Sequence, residues 1–222
     1  MRAEGTTKDY LELPLGRFLD LTASREPAPG GGAAAAVAVA LAAALSGMAA
    51  RFSEDHLEDA AALAGRADGL REEASRLARD DAAAYARVLA AGRSSGDPDL
   101  RRRRVKNALS DAADVPLTVA EAGVEVAGIA AHLAQNGNPN LRGDAICAAV
   151  LAEAGTEAAA VLVEMNLSDG GFEDSRLARA EELARNAAAY ARRAREGARL
   201  HGWDGSPNGR GASSPSPWED YR

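Results

Sequence analysis

The chain has 222 residues, with 26 Lys and Arg against 33 Asp and Glu and a formal charge of −7. Hydrophobic residues make up 46%, enough for a core, which excludes global disorder. That apolar set holds 54 Ala and 23 Leu but only 11 Val and 2 Ile, and aromatics are 4%, so the composition argues against a β-sandwich, a β-barrel or a large parallel sheet and for closely packed helices.

In chain order, residues 1–13 read as a loosely held arm. A short helix is predicted from Pro14 or Leu15 to about Ala23, with Phe18, Leu19 and Leu21 on its apolar side. Pro27-Ala28-Pro29-Gly30-Gly31-Gly32 then blocks helix with two prolines and frees the backbone with three glycines. The run from Ala33 to Phe52 is apolar almost all round, which predicts a central, buried helix. A long helical stretch is predicted from about Glu54 to Ala91. Within it Leu70, Ala74, Leu77, Asp81, Tyr85 and Val88 recur at three- and four-residue steps, one face of a helix.

Ser94-Ser95-Gly96-Asp97-Pro98 breaks that helix, and another runs from about Asp99 to Ala113. Pro116 marks a kink or a restart, because it lacks the N–H that a helix interior needs. Helix resumes from Leu117 to Ala134. Gln135-Asn136-Gly137-Asn138-Pro139-Asn140 is a dense turn signal. A long helix follows from about Leu141 to Met165, then a loop at Ser168-Asp169-Gly170-Gly171. The last helix covers about Glu173 to Leu200. The organisation is therefore one all-α domain over 14–200, a bundle of long Ala-rich helices, and a Gly/Pro/Ser-rich tail over 201–222 that reads as disordered.

The single cysteine, Cys147, excludes a disulfide framework and a Cys-based zinc site. The first residues lack the basic-then-apolar pattern of a signal peptide, and Ala33–Ala50 is mostly alanine, which is only marginally hydrophobic in a membrane. The expectation is a cytoplasmic protein without a membrane partner. An acidic chain of pI about 5.1 is also a poor general binder of nucleic acid.

Asp81 is the most informative residue. It interrupts a face otherwise made of Leu, Ala, Tyr and Val, and an unpaired buried charge is costly. Either an Arg of a neighbouring helix satisfies it, or it faces a cavity and moves protons with a pKa raised by burial. The Gly-rich segment opens an apolar helix whose free N–H groups suit an anion or a carbonyl oxygen. It is neither a P-loop, since no Gly-Lys-Ser/Thr follows, nor a dinucleotide fingerprint, since no strand precedes it. Arg101–Arg104 is the only basic run, either a solvated face or an attractor for an anionic tail. His56, His132 and His201 stand apart, and Glu153 with Glu157 lacks the further ligands of a di-metal site. No metal centre is predicted.

Taken in order, five segments resemble the cyclodeaminase/cyclohydrolase family, which includes the formimidoyltetrahydrofolate cyclodeaminase domain and stand-alone methenyltetrahydrofolate cyclohydrolases. They are Phe18-Leu19-Asp20 with Pro27–Gly32; Asp81-Ala82-Ala83-Ala84-Tyr85; Ala113-Asp114-Val115-Pro116-Leu117; Gly137-Asn138 with Asp144-Ala145; and Met165-Asn166-Leu167. Together they span about residues 14–200. The chain departs from the family pattern at Ala33 and Gly143, where Ser is usual, at Leu162, where Asn is frequent, and at Ser53-Glu54-Asp55-His56, where basic residues are expected.

The resemblance implies an all-α fold, a homodimer and a folate site near the subunit interface. It implies Asp81 as the catalytic residue. It further implies Pro29, Gly30, Gly31, Gly32, Tyr85, Arg101, Gly137, Asn138, Asp144 and Asn166 as substrate-binding candidates. The expected chemistry is hydrolysis of 5,10-methenyltetrahydrofolate to 10-formyltetrahydrofolate, or closure of 5-formiminotetrahydrofolate with loss of ammonia. No metal or redox cofactor is expected. Hydrolysis is preferred, because no second catalytic domain to make the formimino compound fits in 222 residues. The lost polar positions leave a second expectation: a diverged relative acting on another imine or heterocycle, or a non-catalytic dimeric scaffold.

Overall fold

The structure, a computed structural model, describes residues 10–170 and 174–200. All regular elements among them are helical: α1 (Leu15–Thr22), α2 (Gly31–Arg51), α3 (Ala60–Gly92), α4 (Pro98–Ala112), α5 (Asp114–Asn136), α6 (Arg142–Gly170) and α7 (Ser175–Leu200), with 3₁₀ turns at Tyr10–Glu12 and Pro139–Leu141. The expectations for residues 1–9 and 201–222 lie outside the described residues.

The all-round apolar helix is central, as its composition predicts. α2 packs against α3, α5 and α6, while α7 covers α5 and α6, and α4 lies on α3 and α6. Alanine lets these axes approach closely. A methyl on Gly155 of α6 would lie 2.8 Å from Val39 and 3.0 Å from the Ala35 carbonyl oxygen of α2. The few polar side chains inside are satisfied by their own helices: Ser46 donates to the Ala42 carbonyl at 2.9 Å and Thr156 to Ala152 at 2.7 Å.

Three helical stretches, Gly31–Arg51, Pro98–Asn136 and Pro139–Asp169, are long and apolar enough to cross a membrane by length and composition alone. The sequence analysis discounted the first of these because it is mostly alanine. In the first two, 61% of the apolar window is buried in the bundle, so that apolarity serves helix packing. The third is 39% buried, and its outer side carries Val161 and Met165, 46% and 55% exposed.

Four boundaries differ from expectation. Residues 54–59 are not helical: His56 and Leu57 donate backward to the Ser53 carbonyl, and α3 starts only after Asp59. The cause is a clamp from the other end of the chain. Asn138 donates its backbone N–H to Ser53 Oγ at 2.9 Å and its side-chain amide to the Phe52 carbonyl at 2.9 Å, which turns the chain off the α2 axis. Pro116 marks a restart rather than a kink, since α5 begins at Asp114 and Pro116 sits in its first turn. Ser168-Asp169-Gly170 is the end of α6, not a loop, because Val163 and Leu167 are fully buried and hold the helix down. Finally, the arm is not loose throughout: Tyr10 is buried, edge-on to Phe18 at 6.1 Å.

Candidate active site

Asp81 projects from the core stripe of α3, between buried Ala78 and Ala84. Its carboxylate lies over the first turn of α2. A Cβ on Gly32 would fall 1.9 Å from Asp81 Oδ1 and 2.3 Å from Cγ, so the carboxylate occupies the space that any other residue at 32 would fill. It accepts a hydrogen bond from the Ala33 backbone N–H. α2 has no side-chain cap of its own and no acidic residue in its first turn. Asp81 therefore serves as a cap supplied by another helix.

Burial pushes the Asp81 carboxyl above the usual Asp range, against the opposing pull of the Ala33 N–H. Among the described residues it has no ion pair, so the reading of Asp81 as the partner of a structural Arg falls away. Burial, and after it the nearby Asp81 charge, raises the Tyr10 hydroxyl above the ordinary tyrosine value. The arm thus reaches the site, through a residue that sequence reasoning left unused.

A cavity of about 540 Å³ opens beside this carboxylate. That is within the range of small-molecule sites. Pro27, Ala28 and Gly30–Gly32 form one side, and Asp81, Ala84, Tyr85 and Val88 of α3 form another. Leu109 and Ala112 of α4 and Leu162, Met165, Asn166 and Asp169 of α6 complete it. The walls are mainly apolar, with a few polar groups facing in. Asn166 donates its amide to the Ala112 carbonyl at 3.3 Å, which ties α6 to the end of α4. Leu162, the position where the family often has Asn, is part of this wall and meets Gly31.

The predicted site residues divide into two groups. Asp81, Gly30, Gly31, Gly32, Tyr85 and Asn166 line the cavity together. Pro29 is buried just behind it. Arg101 is exposed on α4, eight residues before Leu109, and is not in the cavity wall. Gly137, Asn138 and Asp144 stand at the other end of the bundle, by the C-terminus of α2. The 21 residues of α2 put about 30 Å between the two ends. There Asn138 is engaged with Phe52, Ser53 and the Asn140 N–H, and a methyl on Gly137 would meet the Leu133 carbonyl oxygen at 2.7 Å. Glu153 pairs with Arg195 at 2.8 Å.

Sequence reasoning missed Asp169, Leu109, Met165 and the approach of Tyr10. A signal for the first existed: Asp169 lies three residues after Asn166, on the same helical face if α6 continues.

The bundle of long helices holds a partly buried carboxylate over an opened helix start, beside a cavity, and this is an all-helical architecture with a candidate site. The family model described as formiminotransferase-cyclodeaminase matches residues 14–188, and the chain belongs to that family. It is thus an enzyme of the cyclohydrolase/cyclodeaminase kind. It is 34% identical over 185 residues to the methenyltetrahydrofolate cyclohydrolase of Methylorubrum extorquens, covering 78% of this chain and 89% of that protein. The crystal structure of formiminotetrahydrofolate cyclodeaminase from Thermotoga maritima superposes with a TM-score of 0.77 at 31% identity, over 87% of this chain and 99% of that one.

Proposed function

We propose that this chain hydrolyses 5,10-methenyltetrahydrofolate to 10-formyltetrahydrofolate, with Asp81 as the group that moves the proton. The observation that carries it is the Asp81 carboxylate seated against Gly32, half-buried and without an ion pair among the described residues, at the wall of a cavity of suitable size. The similarity to a methenyltetrahydrofolate cyclohydrolase supports the choice of substrate.

The substrate carbon is an amidinium carbon between two nitrogens. Asp81 takes a proton from water as the C–O bond forms, and the cation becomes a neutral carbinolamine. The bond from carbon to one nitrogen then breaks. Asp81 returns its proton to that nitrogen, and the hydroxyl proton leaves to solvent as C=O forms. One proton is released per turnover. A carboxyl whose pKa is raised by burial is a better proton acceptor than an ordinary Asp. The chemistry needs no metal or redox cofactor, and a cytoplasmic setting suits the substrate.

Gly30 and Gly31 are placed to present backbone to the ring system, while Tyr85 and Asn166 contact it from α3 and α6. Arg101, outside the cavity on α4, is the candidate for the glutamate carboxylates. The assembly in this reading is a homodimer, supported by the exposure of Leu41 on α2 and Val161 and Met165 on α6. Gly137, Asn138 and Asp144 would reach a folate only from the second copy.

The test follows the absorbance of 5,10-methenyltetrahydrofolate with purified protein. Decay above the buffer rate in the wild type, and none above it in Asp81→Asn, supports the reading; equal decay in both refutes Asp81. The structural similarity to a cyclodeaminase favours a second reaction, cyclisation of 5-formiminotetrahydrofolate. Ammonia release from that compound distinguishes it.

A further inference from the structure

Among the described residues, the charged side chains that line the cavity are Asp81 and Asp169, both carboxylates, with no Lys or Arg beside them. Asp81 is occupied by the Ala33 N–H. Asp169 is exposed, and among the described residues it makes no hydrogen bond or ion pair. It also sits in the last turn of α6, which has no basic residue there. A carboxylate beside the carbonyl end of a helix has the wrong sign for the helix dipole. Among the described residues nothing compensates an acid at this position, and local rules broken without structural compensation mark functional positions.

We propose that Asp169 makes the cavity selective for a cationic heterocycle by placing its carboxylate against the positive charge of the bound substrate. The inference deepens the proposed reaction and rests on it for the identity of the substrate, though not for the sign of its charge. The amidinium charge exists in the substrate and is lost once water adds. Attraction to Asp169 therefore acts on the bound substrate and not on the neutral adduct or the neutral one-carbon end of the product. It lowers KM, does not speed the chemical step, and lets product leave.

Two measurements test this. In kinetics with 5,10-methenyltetrahydrofolate, Asp169→Asn raises KM roughly twofold to fivefold without lowering kcat. Its KM also rises less steeply with added NaCl than that of the wild type. In binding, the probes are benzamidine, a flat cation, and benzamide, its neutral counterpart. The wild type prefers benzamidine, Asp169→Glu keeps the preference, and Asp169→Asn loses most of it. An unchanged KM and an unchanged benzamidine-to-benzamide ratio in Asp169→Asn overturn the proposal. Equal loss in the Glu and Asn variants also overturns it, since charge is then not the cause. A wild type that prefers benzamidine through Asp169 yet turns over no methenyltetrahydrofolate leaves cation selectivity standing and refutes the hydrolase reading alone.

Discussion

Gly32→Ala separates the geometry of the site from the stability of the fold. The added methyl would lie 1.9 Å from Asp81 Oδ1 and 2.6 Å from Oδ2, where contacts under 3.0 Å are essentially never seen. The carboxylate must retreat by about 1 Å or more, and a displacement of about that size costs roughly 100-fold in rate when it moves a reacting group. Retreat is possible, because Asp81 is the end of a side chain beside an open cavity. The strain therefore does not have to spread into the core. Ala recovers at this first-turn position only part of the roughly 1 kcal/mol it gains over Gly in a helix interior, and that offsets a little of the roughly 1–3 kcal/mol of overpacking. The expected variant melts within a few degrees of the wild type but loses about two orders of magnitude in kcat for methenyltetrahydrofolate. Its activity limb also moves to lower pH, since the carboxyl has left its buried seat. Gly69→Ala, on α3 but outside the cavity, is the control: its methyl meets nothing within 4 Å, and activity stays within a few-fold. Gly32→Ala with near-normal kcat and an unshifted pH profile would refute the claim that Asp81 acts from this seat.

Asp81→Asn removes turnover but not the fold, because an Asn oxygen still accepts from the Ala33 N–H. The folded-state pKa of Asp81 is raised, so its contribution to stability is full below the ordinary Asp value and shrinks as pH rises through the folded pKa. The variant should therefore melt at or a few degrees above the wild type at pH 8, and a clearly lower Tm there would contradict the burial argument. Ser53→Ala leaves the Asn138 N–H without its acceptor and loses the hydroxyl bond to Ala49. A cost of about 1–3 kcal/mol is expected, seen in urea melts, and an unchanged midpoint would show that the clamp does not hold the turn. Arg176 joins α7 to the α4–α5 junction through the Ser110 carbonyl at 2.9 Å, the Ser110 hydroxyl at 2.8 Å, Asp174 and Asp114. Arg176→Ala should lower the melting point by several degrees at pH 7. The gap should narrow in acid, because hydrogen bonds from Arg176 hold the Asp174 carboxyl below the usual range and that contribution fades as it protonates.

Helices and their order were legible because their signals are local: alanine content, Pro and Gly breaks, and the three- and four-residue recurrence of Leu70, Ala74, Leu77 and Asp81. Asp81 itself was legible as a polar residue on an apolar stripe. What the sequence hid depends on contacts across the chain. The turn at 54–59 is set by Asn138, more than eighty residues away. The extension of α6 to Gly170 follows from the burial of Leu167, which Ser168-Asp169-Gly170 masks locally. Asp169 was consequently read as loop and missed as cavity wall. Gly137, Asn138 and Asp144 show the converse limit: motif residues that follow one another in a resemblance need not meet within one chain, and these lie about 30 Å from Asp81, the length of α2.

The three glycines also gain a sharper meaning than a turn that frees the backbone. A Ser, Asp or Thr at position 30 would cap α2 with its own side chain and take the N–H groups that now face the cavity. A side chain at 32 would occupy the seat of Asp81. The helix start is thus left bare twice, once by removing its local cap and once by removing a Cβ. The carboxylate that fills the gap comes from α3, where burial raises its pKa while the Ala33 N–H and the helix end pull it down. A carboxylate capping its own helix from solvent would feel only the downward pull and would be a weak base. Importing the cap from a neighbouring helix brings burial with it, and that makes the capping carboxylate a stronger base than one held in solvent.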